Sequence, residues 1–179
     1  MSEKRVSQLD KLTDFIMGNL PDWACKNRSV LFRAFAAEQT MLNVKRDLGL
    51  GLQIGTIKYE AVLSWERFPY RKIDPSIVYA LVSVWMEEHA DPLRDKLELK
   101  DAPDTDIELL DEDNAIFAIS VEVAEPLNLM EDPDGPIPFR GKRWRVDSVP
   151  VWTAEEAYLF VNDLPPVEIN GEQSHADQG

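Results

Sequence analysis

"TIKYEAVLSWERFPYRKIDPSIVYALVSVWMEEH" occupies residues 56–89, and its change of rhythm decides the fold class. Over residues 57–65, Ile57, Tyr59, Ala61, Leu63 and Trp65 fall on one face of an extended chain. Lys58, Glu60, Ser64 and Glu66 fall on the other with Val62. Such alternation is the pattern of a half-buried antiparallel strand. After the charged turn "RFPYRKI", Asp74-Pro75 supplies a helix start, because the carboxylate caps free amides and proline loses nothing at the first helical position. Ile77, Val78, Leu81, Val82, Val84 and Trp85 then recur at helical spacing, a stripe broad enough to predict a helix lying on the sheet.

Towards the amino terminus, Val6, Leu9, Leu12, Ile16 and Leu20 recur every three or four residues, which predicts an amphipathic helix closed by Gly18 and residues 19–21. Residues 22–55 are less patterned. Leu31, Phe32 and Phe35 predict apolar contacts there, and Gly49, Gly51 and Gly55 predict bends or a flexible edge. Towards the carboxyl terminus, Pro92 interrupts the helix, and "DTDIELL" (104–110) and "AIFAISVEV" (115–123) read as a hairpin about the acidic turn 111–114. Phe117, Ile119, Val121 and Val123 share one face of its second strand. Pro126, Pro133, Pro136 and Pro138 with Gly135 predict a loop or arm over 126–140 that is not a central strand. Short strands are expected near 144–149 and 158–161. Together these elements predict an α+β domain over 1–167, a mainly antiparallel sheet with two or three helices on one face, and a flexible tail over 168–179. Leu9, Ile16, Tyr59, Leu63, Leu81, Trp85, Phe117, Ile119 and Val121 are expected in its core.

With 33 acidic and 19 basic residues among 179, the formal charge of −14 repels polyanions, so nucleic acid and anionic membrane are not expected partners. No apolar run approaches the roughly 18 residues of a membrane span. The polar start "MSEKRVSQLD" reads as neither signal peptide nor anchor, and a cytosolic location is expected. Cys25 is the single cysteine, has no histidine near it in sequence, and reads as a small, partly buried apolar residue. Dinucleotide, P-loop, nucleophile-elbow and zinc-helix motifs do not occur, so no catalytic, metal or cofactor residues are predicted.

Two charged segments stand out. Residues 101–113 hold seven acids, including Asp104, Asp106 and Glu108, and no basic residue. Their spacing is not that of a calcium loop, and a solvated hairpin edge suits them better. "FRGKRWRV" places Arg140, Lys142, Arg143 and Arg145 among Phe139 and Trp144. Cations between aromatics can grip single-stranded nucleic acid. On a strand that turns Trp144 and Val146 inward, however, the arginines face outward and suit the acidic hairpin of a neighbouring copy. These seven residues are the candidate protein-contact set. Two other classes stay open at this level. A metal-dependent nuclease would use Asp91, Asp95 and the Glu98–Lys100 triplet; an acidic DNA mimic would offer residues 101–113 to a basic regulatory partner.

The first helix "LDKLTDFIMGNLPDW", the strand, turn and helix of "YEAVLSWERFPYRKIDPSIVYALVSVWMEE", "FAISVEV" with "EPLNL", and "VEINGE" occur in an order that resembles the tail completion protein R of P2-like tailed bacteriophages. The resemblance implies a non-enzymatic protein without cofactors. It would finish the tail tube so that it joins the DNA-filled head, working with tube, sheath and head-completion proteins in the host cytoplasm and then in the virion tail. By analogy with tail-end proteins of other long-tailed phages, it also implies a homo-oligomer, with a ring as one form. "DPDGPIPFRGKRWRVDSV" has no counterpart in that pattern, so the resemblance assigns its arginines no role.

Overall fold

The computed structural model describes residues 5–147, 157–159 and 167–169. The chain divides into two compact units, residues 1–149 and 150–179. In the first, helix α1 (Gln8–Asn19) and the single turn α2 (Asp22–Cys25) lead into strands β1 (Phe32–Asp47) and β2 (Gly51–Phe68). Helix α3 (Pro75–Glu88) and the turn α4 (Leu93–Lys96) follow, then β3 (Asp104–Leu109), β4 (Ala115–Glu131), β5 (Ile137–Phe139) and β6 (Lys142–Val146). The second unit contains a small antiparallel pair, β7 (Ala157–Leu159) with β8 (Val167–Ile169). Residues 170–179, most of the expected tail, lie outside the described residues.

The fold is α+β, with an antiparallel six-stranded sheet in the order β1-β2-β4-β6-β5 and β3 also paired to β4. Strand β2 carries the predicted alternation: Tyr59, Ala61, Leu63 and Trp65 are buried. Phe117, Ile119, Val121 and Val123 stand opposite them in β4 on the same inner face. Trp65 is the hub. Its ring stacks on Phe117 at 5.5 Å and meets Phe32 at 4.8 Å, and its indole N–H donates to the Ala24 carbonyl at 2.8 Å. Leu12 and Ile16 of α1 and Val78, Val82 and Trp85 of α3 close the core over this face. Asp74 caps α3 by accepting from the Ser76 amide, as the Asp-Pro start predicts.

Several expectations are corrected. Residues 32–47, for which no strand was predicted, form a 16-residue strand. Most of its side chains are exposed, so no apolar alternation announced it, and pairing with β2 recruits it. Of the three glycines, Gly49 turns with positive φ between β1 and β2 and Gly55 lies at an irregularity of β2, while further irregularities fall at 37–40 and 43–46 of β1 and at 65–68 of β2, where no glycine predicted them. Bulges of this kind curl a sheet. Nor is 126–140 one loop: β4 runs on through Pro126 to Glu131, with Pro126 opposite Thr56, and β5 lies within the rest. β3 begins opposite Ser120 and β6 ends opposite Leu129, so between these points β4 pairs on one side only, where a proline is tolerated. The α3 stripe is wider than the core uses, since Ile77 and Val84 remain 48% and 44% exposed and Leu81 is only partly buried. Leu9 is likewise partly buried against the core.

Candidate protein-contact site

The one-sided stretch of β4 anchors the helices. Glu125 is buried there, accepts from the Gln8 amide at 2.7 Å and pairs with Arg5 at 3.0 Å. Arg5 also donates to the Pro126 carbonyl at 3.1 Å. The Leu9 amide donates to the Tyr59 hydroxyl at 3.0 Å, the Asp10 amide to Ser7 Oγ at 3.0 Å, and the Lys11 amide to the Ser7 carbonyl at 3.1 Å. The Ser7 amide donates to the Asp10 carboxylate at 2.9 Å, so the four amides a helix leaves unsatisfied, those of Ser7, Gln8, Leu9 and Asp10, all have acceptors, two of them in the sheet. Burial, reinforced by the Glu125 charge, pushes the Tyr59 phenol up to about 12. Past α4 the chain reaches the other face, where the Lys100 amide donates to Glu122 at 2.9 Å and holds that carboxyl below its usual range.

The acidic candidates lie on β3, an edge strand exposed along its whole length. Asp104, Asp106 and Glu108 face one side, opposite Ser120, Ala118 and Ile116, while Ile107 and Leu109 face the helix side opposite Phe117 and Ala115. Charge on this hairpin is partly answered from elsewhere: Asp104 by Lys100, Asp101 by Arg94 at 3.1 Å, and Asp111 by Arg67 at 3.1 Å. Asp111 also accepts from the Asp113 and Asn114 amides, which hold its carboxyl below the ordinary range and close the turn.

The basic candidates lie on the β5–β6 hairpin. Arg140 and Gly141 form its two-residue turn, both with positive φ (51° and 73°), the geometry that matches strand twist in tight hairpins. Arg140 sits over the Phe139 ring at 5.0 Å. Lys142 pairs with Glu131 at 2.6 Å and Arg145 with Asp147 at 2.7 Å, while Arg143 donates to the Pro136 carbonyl at 3.4 Å. Trp144 is buried, and its indole N–H donates to the Phe139 carbonyl at 2.9 Å. The acidic and basic hairpins flank opposite ends of β4, with Ser120 and Leu129 nine residues apart, about 30 Å along an extended strand.

Sequence reasoning did not find the cleft beside the basic hairpin. The curled sheet brings β1 and β5 to face each other across a space of about 400 Å³ floored by Leu52, Leu129 and Ile137, with Lys45, Arg46 and Arg140 among its walls. No local signal marks it, because its lining residues lie up to 99 positions apart, from Met41 to Arg140. Among the described residues no three or more His, Cys, Asp or Glu side chains gather so as to hold a metal ion. Near the nuclease-like triplet, Asp91 accepts from the Leu93 amide, Asp95 lies 3.6 Å from Arg94, and Glu98 is exposed. Burial pushes the Cys25 thiol up to about 11, away from thiolate chemistry. No helix among the described residues is long and apolar enough to cross a membrane.

The fold is an α+β platform whose acidic and basic hairpins pair toward opposite ends of β4. The family model of the P2 phage tail completion protein R (GpR) matches residues 6–148, nearly the whole first unit. The chain belongs to that family: it is a structural protein of the bacteriophage tail and works among other tail proteins. It is also 30% identical over 152 residues to a protein of Haemophilus phage HP1 (strain HP1c1) described as an uncharacterized 19.2 kDa protein in the rep-hol intergenic region; the match covers 84% of this chain and 88% of that one. No solved structure matches the chain.

Proposed function

We propose that this protein finishes the distal end of the phage tail tube and so permits stable joining of tail to head, through protein–protein contacts and without catalysing a reaction. Membership of the tail completion family across residues 6–148 is the observation that carries this reading. A platform whose charged hairpins lie on exposed strands suits such work, because loops and edges held by a packed core present fixed contact surfaces. The protein assembles in the host cytoplasm as a homo-oligomer, with a ring as the form that caps a tube. Asp104, Asp106, Glu108, Arg140, Lys142, Arg143 and Arg145 contribute to its protein contacts. Electron microscopy of particles made without the protein tests the assignment. Headless tails or tubes of uncontrolled length are the expected result, and normal virions would refute it.

A further inference from the structure

We propose that the β3–β4 hairpin of one copy seats its exposed aliphatic side chains in the apolar cleft between β1 and β5 of the next copy. The hairpin presents an unusual surface for a strongly charged chain: Leu109 is 69% exposed, Ile107 48% and Leu110 46%. Clustered aliphatic exposure of this kind marks contact surfaces. The cleft offers the matching chemistry, an aliphatic floor of Leu52, Leu129 and Ile137 within about 400 Å³. That size is within the ~300–1,000 Å³ of ordinary binding pockets and suits a few side chains.

Charge selects the same pairing. Among the described residues Lys45, Arg46 and Arg140 of the cleft form no ion pair, and neither do Asp106, Glu108 and Glu112 of the hairpin. The cleft thus sets three unpaired cations against one acid, Asp47, and the hairpin brings three unpaired carboxylates to its rim, with Asp106 and Glu108 on the face of β3 opposite the aliphatic one, which locally offsets the repulsion between copies that each carry −14. Because hairpin and cleft lie toward opposite ends of β4, a copy does not fill its own cleft. The contact is heterologous, of the kind that propagates until a ring closes. This inference deepens the ring in the preceding proposal and rests on it for the assembly that the contact would serve.

The test uses the full chain. Copies carrying Leu109→Cys are mixed with copies carrying Met41→Cys, which lines the cleft and is 51% exposed, and are then oxidised. A mixed disulfide dimer well above either variant alone, and above wild type with only Cys25, is expected. In sedimentation experiments, Arg46→Glu and Glu108→Arg should each weaken self-association by about tenfold or more, and the two changes in one chain should restore it. All four sites are exposed, so unchanged melting checks that the variants fold. A chain that stays monomeric, a missing mixed disulfide, or single charge changes without effect would overturn the proposal. A failed cross-link leaves head–tail joining standing, whereas normal virions without the protein would remove that function and leave the contact intact.

Discussion

Glu125→Ala should detach the first helix from the sheet. The carboxylate is 5% exposed, accepts from the Gln8 amide at 2.7 Å, and holds Arg5 at 3.0 Å. Its removal leaves a helix-start amide without an acceptor inside the protein and a guanidinium without its counter-ion. A hydrogen bond to a charged group contributes about 1.5–3 kcal/mol, and breaking one side of a buried ion pair costs about 3–5 kcal/mol. Arg5 retains the Pro126 carbonyl and its side chain is 18% exposed, so part of its charge is solvated and the loss belongs near the lower end, about 3 kcal/mol. At about 2–4 °C per kcal/mol for a chain of this size, melting should fall by roughly 6–12 °C. Urea unfolding followed by tryptophan fluorescence measures the free energy. Glu125→Gln, which keeps an acceptor for the Gln8 amide, should lose less. In a double-mutant cycle with Arg5→Met, a coupling above about 1 kcal/mol is expected. A loss under about 1 kcal/mol for Glu125→Ala, or strictly additive single effects, would refute the anchor.

Three further outcomes follow from the packing. Gly135→Ala puts a Cβ 2.3 Å from the Trp144 carbonyl oxygen, so the β5–β6 hairpin must shift, at a cost of about 1–3 kcal/mol; red-shifted tryptophan emission would report the exposure of Trp144. Val82→Asp buries an unpaired carboxylate and should leave the chain unfolded by circular dichroism, whereas Leu81→Asp, only partly buried on the same helix, should remain folded with a lowered melting temperature. Tyr59 binds its proton more tightly in the folded state, so its contribution to stability is complete below the ordinary value of 10 and is lost as pH rises towards 12. Phenolate absorbance should show a late-titrating tyrosine in the folded chain, moved down in Glu125→Ala; titration of all four tyrosines at the ordinary value would contradict its burial.

The legible parts of this protein are those whose signals are local. Alternation at 57–65 placed β2 and its buried face, Asp74-Pro75 placed the start of α3, and the acidic turn at 111–114 placed the β3–β4 hairpin. Each depends on the backbone period or on a cap within a few residues. The β5–β6 hairpin was not legible, because residues 126–140 read as a loop; the individual charges on both hairpins were. Their partners were not. Arg67, which answers Asp111 from 44 positions earlier, meets it only once the strands have paired.

What the tertiary structure decided is chiefly the long sheet and what it encloses. Strand β1 has no fully buried residue and gains its conformation from hydrogen bonding to β2, a gain absent from its own sequence. Pro126 argued against a strand by removing a donor, and it is admitted because β4 there has a neighbour on one side only. Nothing local marks Glu125, which the strand carries beneath the start of α1, where a helix amide and Arg5 stabilise it. The cleft depends on curvature summed over several bulges, which brings β1 and β5 together from the two ends of the strand order. Periodicity determines which face of a strand is apolar, because that choice is made within a few residues; which edges meet depends on the accumulated bend of the whole sheet, and no short stretch of sequence encodes it.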